Sequence, residues 1–530
     1  TFLDKPIYKL LKSDPTTKYQ NEIKNIIKQS NQLFNNIHNL INSNPSAPKL
    51  RTTTKIHKQN NPIRPIINYR PAPAYNIKKH LITILKNKYK LENKYNIKNS
   101  IELTKQISKL KLSSDSKLIS LDIADMYTNV PINETLNIIN NYLNTINEDQ
   151  NIIKQLSTAL NTVIKQNYFT YNNKFYIQQD GLPMGSPISP IFSEIFLQYL
   201  EQHHIEQIKQ QYNIIYYGRY VDDILIIYDN KNDIAENIVN KFNQIHNNLA
   251  FTLEKEIKHS LNFLDITIQK IKDHKIHKFS FDIYRKPTTS KLSIHYNSIH
   301  PNNHKWANFH YLLHRLNNIP LTKHNYRKEF NNILNIANYN KFPLQKIHKL
   351  NNKIKSKLTA NKYTTLKNNN QDKVWASLQY CGNVSEKIKK IFNKNNVNIS
   401  FKTNNNIKRC LQNKEKTTDK LDSSGIYEII CNCGSRYIGQ TSRKFKQRFQ
   451  EHKYSYTHNK PERSKIAAHL IENNHILNPD SFKVVKIIND KKLLDTWENF
   501  EIYKIYKQGN IINEHIPVTN NPLFNTLLTM

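Results

Sequence analysis

Hydrophobic and polar positions change period several times along this 530-residue chain. Over residues 1–48, stretches such as "NEIKNIIKQSNQLFNNIHNLI" repeat Ile and Leu at helical spacing, which predicts polar, one-sided helices. From "KLRTTTKIHKQNNPIRPIINYRPAPAYNIKKHL" the pattern becomes basic, proline-punctuated and strand-like. "KLISLDIADMYTNVP", residues 117–131, opens as a short buried strand that ends at an acidic residue. Residues 134–165 predict helix. "YFTYNNKFYIQQDGLPMGSPISPIFSEIFLQYLEQ" predicts a hairpin, a Gly/Pro loop and a helix. Residues 214–228 predict a second hairpin, residues 251–287 more short strands, and residues 301–360 Asn/Lys-rich helices. Residues 361–375 are the best linker candidate, a mixed segment runs to about 420, and a compact α/β unit fills 423–515. The second hairpin breaks its own pattern: "YYGRYVDDILIIY", residues 216–228, sets two carboxylates inside an otherwise core-like run.

Composition narrows the classes. The chain carries 78 Lys+Arg against 41 Asp+Glu, a formal charge of +37, which favours a polyanionic partner. A/T-rich coding would account for part of that excess, but not for the short motifs. Four cysteines in so long a chain exclude a disulfide scaffold. No apolar run reaches 18 residues, so no membrane partner is expected. The 8 glycines cluster near the acidic pair and in the C-terminal third, marking candidate sites of close backbone approach. The chain opens on Thr, which leaves open that it is a fragment lacking an N-terminal address.

Asp222 and Asp223 at a tight hairpin tip repel each other unless cations intervene. Mg²⁺ takes oxygen ligands, and Asp122, at the end of another buried strand, supplies a further carboxylate. Two ions about 3.5–4 Å apart would suit in-line attack at phosphorus. "YVDD", "SLDIADMYTNVP" and "QQDGLPMGSPISPIFSEIFL" resemble the palm motifs of reverse transcriptases. "KIHK…PIRPI", "MYTNVP", "FTLEKE…LNFLDITI" and "DIYRKPTTS…YNSIHP" resemble Penelope-like retroelements in particular, and the likeness covers residues 49–515 in the family's order. The resemblance implies that Asp122 and Asp222, with Asp223 adjacent, hold two catalytic Mg²⁺ in a palm sheet. It implies that Tyr127 lies under the incoming nucleotide's sugar, where a plain core Tyr is the alternative. It gives Arg64, assisted by Lys55 or Lys58, the nucleotide triphosphate, and Gln179, Gly181 and Gly185 the template and nucleotide pocket. Asp265 in "FLD" is read as structural.

"GIYEIICNCGSRYIGQTSRKFKQRFQEHK" resembles the GIY-YIG endonucleases, with Tyr427 and Tyr437 in the two halves of the motif. The likeness implies Arg448, His452, a catalytic Glu498 that holds one Mg²⁺, and Asn513 lining the same site. One carboxylate on a metal, with tyrosines and an Arg to orient water and stabilise the phosphorane, makes chemical sense. Cys431, Cys433, His469 and His475 match a set thought to bind Zn²⁺ in Penelope-like nucleases. The C-x-C spacing is tighter than the usual finger spacing, and a buried Cys beside surface His is the alternative.

The fold expected is α+β: a right-hand polymerase with fingers, palm and helical thumb, joined to a small α/β GIY-YIG nuclease. Its divisions are a helical segment at 1–48, fingers and palm at 49–300, thumb at 301–360, linker and connector at 361–422, and nuclease at 423–530. The expected activity is RNA-directed DNA synthesis on element RNA from dNTPs, primed at target DNA that the nuclease nicks. The expected site of action is the nucleus, and no oligomeric state is assigned. Two alternatives stay open. One is a telomerase-like or maturase-type reverse transcriptase, against which the GIY…YIG pair and "YRKPT" argue. The other is a decayed or domesticated copy that binds nucleic acid without catalysis, against which the intact acidic residues, Arg448 and Glu498 argue.

Overall fold

In the computed structural model, the described residues are 3, 6–34, 37–54, 56, 61–89, 91, 94–273, 276–360, 374–403, 419–488, 491–515 and 522–528. They form two compact units. The first comprises Thr1–Ile37, Ala47–Arg70 and Ala74–Arg409, and the second His38–Ser46, Pro71–Pro73 and Cys410–Met530.

The first unit is built around a four-stranded antiparallel sheet in the order β7-β8-β4-β9. These strands are β4 (Ser116–Ile123), β7 (Ile214–Tyr220), β8 (Asp223–Asp229) and β9 (Phe251–Lys255). β4 and β8 lie centrally and are buried on both faces, so their near-continuous apolar runs are what such strands need. The long helix Ser189–Gln211 packs behind the sheet, with Pro190 in its first turn and apolar residues buried around most of its circumference. This is the palm.

Five more strands make the fingers sheet, in the order β1-β6-β5-β2-β3. They are β1 (Tyr8–Leu11), β2 (Lys49–Thr54), β3 (Ile63–Asn68), β5 (Tyr168–Tyr171) and β6 (Lys174–Gln178). β1 departs from the helical expectation for residues 1–48. Four residues of "YKLL" carry little local signal, and pairing with β6 at Tyr8–Gln178 through Leu11–Phe175 selects the strand. The helix Thr16–Gln29 that follows fits the expected period and buries Ile23, Ile26 and Ile27.

β10 (Ser260–Phe263), β11 (Ile266–Asp273) and β12 (Ile276–Ile283) form a three-stranded meander. One apolar cluster joins it to the palm through Leu118, Leu225 and Ile227. Helices Asn302–Asn318, Lys323–Tyr339 and Leu344–Ala360 pack around Phe309, Leu313, Ile333 and Phe342 where the thumb is expected. Asp265 accepts a 2.6 Å bond from Arg315 of the first thumb helix, a structural contact. Beyond the thumb, β13 (Val374–Gln379) and β14 (Val397–Lys402) run parallel around the helix Asn383–Lys394. Most of the expected linker lies outside the described residues, and its last two positions belong to β13. No helix among the described residues is long and apolar enough to cross a membrane.

The second unit holds a three-stranded antiparallel sheet, β16-β15-β17, from β15 (Gly425–Ile430), β16 (Arg436–Thr441) and β17 (Phe482–Ile487). Helices Phe445–Thr457, Lys465–Glu472 and Leu494–Tyr506 surround it. Ile426, Ile438 and Ile502 fill one side of the sheet, and Ile429, Phe445 and Ile466 the other.

One buried ionic network ties the palm hairpin to the helix behind it. Arg219 is 1% exposed. Its guanidinium donates to Glu201 at 2.7 and 2.9 Å, to Glu194 at 3.0 Å twice, and to the Val221 carbonyl at 3.1 Å. Burial pushes the Glu194 carboxyl up, but Arg219 outweighs that and leaves it below its ordinary range. Removing one partner of such a network strands the other charges. Arg219→Met should therefore lower stability by about 3–5 kcal/mol, read as an earlier midpoint in urea. Arg219→Lys, one charge without the planar fork, should fall between.

Candidate polymerase and nuclease sites

Asp122, the last residue but one of β4, is in direct register with Asp223 of β8, and the Ile123 amide donates to the Asp222 carbonyl at 3.1 Å. The three carboxylates are thus gathered at one end of the palm sheet, all half-buried. Tyr220 pairs with Asp223, so Val221 and Asp222 alone make the turn. Val221 has φ +58°, costly for a β-branched residue, and the Arg219 bond to its carbonyl holds it there. All-oxygen, acidic donors at a partly desolvated tip fit hard divalent cations.

Tyr127 follows Asp122 by one short turn. Burial raises its phenol, and the charges of Asp222 and Glu194 raise it further. The Leu182 amide donates to its carbonyl at 2.6 Å. Gly181 sits at φ +69°, and a Cβ there would meet the Thr128 carbonyl at 2.1 Å. Gly185, at φ +103°, lies against the Ile67 carbonyl of β3, where a Cβ would come within 2.2 Å. The Gly/Pro loop therefore seals onto the turn after β4 on one side and onto the fingers on the other. Gln179 is exposed at the start of this loop, and Arg64 is exposed on β3. Lys55 and Lys58 lie outside the described residues.

Lys78 is not among the residues singled out from sequence. It is fully buried in helix Tyr75–Lys88, with Nζ 3.4 Å from Ser186 Oγ and 4.9 Å from the centre of the Tyr69 ring. No carboxylate pairs with it among the described residues. Burial lowers its pKa to about 7. A lysine on the inner face of a helix is a detectable signal, because so few are fully buried.

In the second unit, Tyr427 stands opposite Gly439 and one diagonal step from Tyr437, with ring centroids 6.4 Å apart. A Cβ on Gly439 would meet the Tyr427 hydroxyl at 2.4 Å, so this glycine makes the room for that ring. Tyr427 is fully buried. Arg448 Nε donates to its hydroxyl at 3.1 Å, and that hydroxyl lies 2.7 Å from His452 Nε2. His452 Nδ1 lies 2.7 Å from Ser464 Oγ, which also accepts the Ala467 amide and so caps helix Lys465–Glu472. Burial, then Arg448, lowers His452 to about 3, so the ring is neutral. Tyr437, Arg448 and Glu498 are only half-buried and reach toward solvent. Burial also raises Glu498 above its ordinary value. Asn513 uses both ends of its amide on the Ile438 backbone, at 2.9 and 2.7 Å, and thereby clamps the strand that carries Tyr437. Glu451, not singled out from sequence, pairs with both Arg443 and Arg448.

Cys431, Cys433, His469 and His475 converge with their ligand atoms all within 4.8 Å of one another. A turn closed by Gly434 at φ +83° brings the two thiols together, which resolves the tight C-x-C spacing. Hydrogen bonding with Ser435 lowers Cys433 to about 6, and burial raises Cys431. Two thiols and two imidazoles so placed fit a tetrahedral Zn²⁺ site.

Residues 56–268 match the family model "Reverse transcriptase (RNA-dependent DNA polymerase)", and residues 423–509 match "GIY-YIG catalytic domain". No curated protein matches the chain. Among solved structures, telomerase from Candida albicans, in complex with a fragment of telomeric RNA, is similar at 12% identity and TM-score 0.43. That match covers 66% of this chain and 64% of that one. Telomerase from Candida tropicalis, also in complex with a telomeric RNA fragment, is similar at 12% identity and TM-score 0.37, over 62% and 56%. The chain thus spans a little under two thirds of the first of these.

A buried base with a lowered pKa binds fewer protons folded than unfolded, so stability rises with pH between the two values. For Lys78 that window runs from about 7 to the ordinary value of 10.5. Lys78→Met should be more stable than wild type at pH 7. The gap should narrow by a few kcal/mol toward pH 10, at about 1.4 kcal/mol per unit, in paired urea titrations.

Proposed function

We propose that this chain, which carries a reverse transcriptase domain and a C-terminal GIY-YIG catalytic domain, the architecture typical of Penelope-like elements, copies element RNA into DNA at a target that it nicks itself. The observation that carries the polymerase half is the register of Asp122 with Asp223 beside the strained 221–222 turn. Asp122, Asp222 and Asp223 would hold two Mg²⁺, and Glu498 one more. Bound there, divalent ions supply Lewis-acid charge to phosphate and hydroxyl oxygens.

The chain's own residues do the rest. Tyr127, five residues after Asp122, lies under the sugar and leaves no room for a 2′-hydroxyl. Arg64, exposed on the fingers, offers two parallel N–H bonds to a triphosphate. Gly181 and Gly185 keep side chains out of the pocket wall. In the nuclease, Tyr427 is hydrogen-bonded on both sides and serves to orient the Arg448 guanidinium. Arg448 stabilises charge on the phosphorane, while the half-buried Tyr437 orients the attacking water. The four Cys/His side chains would hold one Zn²⁺ that pins the β15–β16 turn to helix Lys465–Glu472. Element RNA, target DNA and dNTPs are the partners, and the nucleus is the site of action.

Two assays separate the halves. Asp222→Ala should cut primer extension on an RNA template by more than about 10³-fold, roughly 4 kcal/mol of barrier, and leave plasmid nicking intact. Glu498→Ala should do the reverse. Extension by Asp222→Ala at the wild-type rate would refute the polymerase assignment, and nicking by Glu498→Ala the choice of carboxylate. Purified chain should also carry about one zinc by elemental analysis, and Cys433→Ser should lose it.

A further inference from the structure

The segment after the thumb has no part in either site. β13 and β14 pair in parallel, with Trp375 opposite Asn398, Ser377 opposite Ser400 and Gln379 opposite Lys402. Side chains alternate along a strand, so these six share one face. On the other face Ile399 and Phe401 are buried toward helix Asn383–Lys394, whose Lys389 reaches over the Phe401 ring. Parallel strands are usually covered on both faces. Here the first face is open: five of its six residues are exposed, and Trp375 is 65% exposed.

The chemistry of that face says what fits it. One large aromatic ring sits at one end and an ammonium at the other, with hydroxyls and amides between. No run of apolar side chains lies across it for a protein core to cover. Residues 374–403 carry five lysines and one acid, Glu386, a net charge of +4; Lys402 lies on this face, and the other four lysines belong to helix Asn383–Lys394 behind the sheet. A solitary indole amid hydrogen-bonding groups, in basic surroundings, suits an unpaired base beside its phosphate. A duplex hides its base faces and offers the indole nothing to stack on. The strand rise of ~3.3 Å per residue sets Trp375 and Gln379 ~13 Å apart, room for about two nucleotides.

We propose that the open face of β13–β14 is a binding site for single-stranded nucleic acid. One base stacks on Trp375, the Ser and amide side chains meet base edges, and Lys402 takes a phosphate. The site holds a strand by contacts distinct from those at the two active sites, and the proposal does not depend on either activity. The exposed Val384 and Ile391 of the helix belong to a different face and take no part.

The test uses the full chain with Trp306→Phe and Trp497→Phe, which leaves Trp375 as the sole tryptophan, and adds Asp222→Ala to prevent synthesis. Titration with ten-nucleotide oligo(U) and oligo(dT) should quench the indole saturably, and more weakly as salt rises. Lys402→Glu should raise the half-saturating concentration by about tenfold. A quench by oligo(U) alone would assign the site to RNA, and one by both to either strand. Unchanged emission while a gel shift shows the oligonucleotide bound would overturn the proposal, as would no binding at all or an equal quench by a ten-pair duplex. A blue shift that grows with protein concentration alone would mean that a second copy covers the face, which also overturns it. As a check free of the tryptophan substitutions, 5-iodouracil oligonucleotide should photo-crosslink wild-type chain at the peptide containing Trp375, and crosslinks confined to other peptides would refute the site.

Discussion

The palm depends on a cation buried where water cannot reach it. Arg219 satisfies five hydrogen bonds at once, four to Glu194 and Glu201 and one to the carbonyl of Val221. Two carboxylates on one guanidinium would be a poor way to gain stability alone, since apolar packing of similar volume often does as well. What the network supplies is position. Glu194 and Glu201 lie seven residues apart, two turns along one face of the helix behind the sheet. They hold Arg219, and Arg219 holds a turn in which a β-branched residue occupies left-handed space. That turn aims Asp222, and the strand after it sets Asp223 against Asp122. Without the clamp, a two-residue loop with valine first would relax toward cheaper geometry, and the carboxylates would lose their common end of the sheet.

The fingers reach the same end through backbone contact. Gly181 against Thr128 and Gly185 against Ile67 leave no space for a side chain, so the loop between them joins the turn after β4 to the fingers sheet at van der Waals distance. Beneath it lies Lys78, an ammonium with a hydroxyl and an aromatic ring for company. Its lowered pKa makes the charge on this junction sensitive near neutral pH. Rigid contact and a costly buried amine thus meet under the loop that carries Gln179 and the two glycines.

Some of this was legible in the sequence because it broke local rules. Two carboxylates inside "YVDDILIIY" violate the apolar pattern, and a metal site is a physical reason for such a violation. Glycines kept by a chain with only 8 of them fell at 181, 185 and 439, where a Cβ has no room. Arg219 lies in the same stretch but carries no local signal. Its partners lie on another element, and no local pattern joins residues 194, 201 and 219. β1 carries no local signal for a similar reason, since an edge strand of four residues is chosen by its neighbour. The Cys/His set was visible as donors, but only the turn at Gly434 shows that a C-x-C spacing can bring both thiols together.

The two tyrosines of the nuclease show why environment, and not the motif, divides labour. Both sit on one sheet face, and both phenols are raised above their ordinary value by burial. Tyr427, though, is fully buried, with Arg448 on one side and His452 on the other. Because Arg448 Nε donates to its oxygen, the phenol proton is left for His452 Nε2, and the neutral ring then presents Nδ1–H to Ser464. Ser464 caps the helix that carries His469, so the tautomer of His452 and the Cys/His cluster rest on one short helix. A change at the start of that helix is therefore transmitted to the Arg448 guanidinium through three hydrogen bonds, by way of a phenol that itself never touches water.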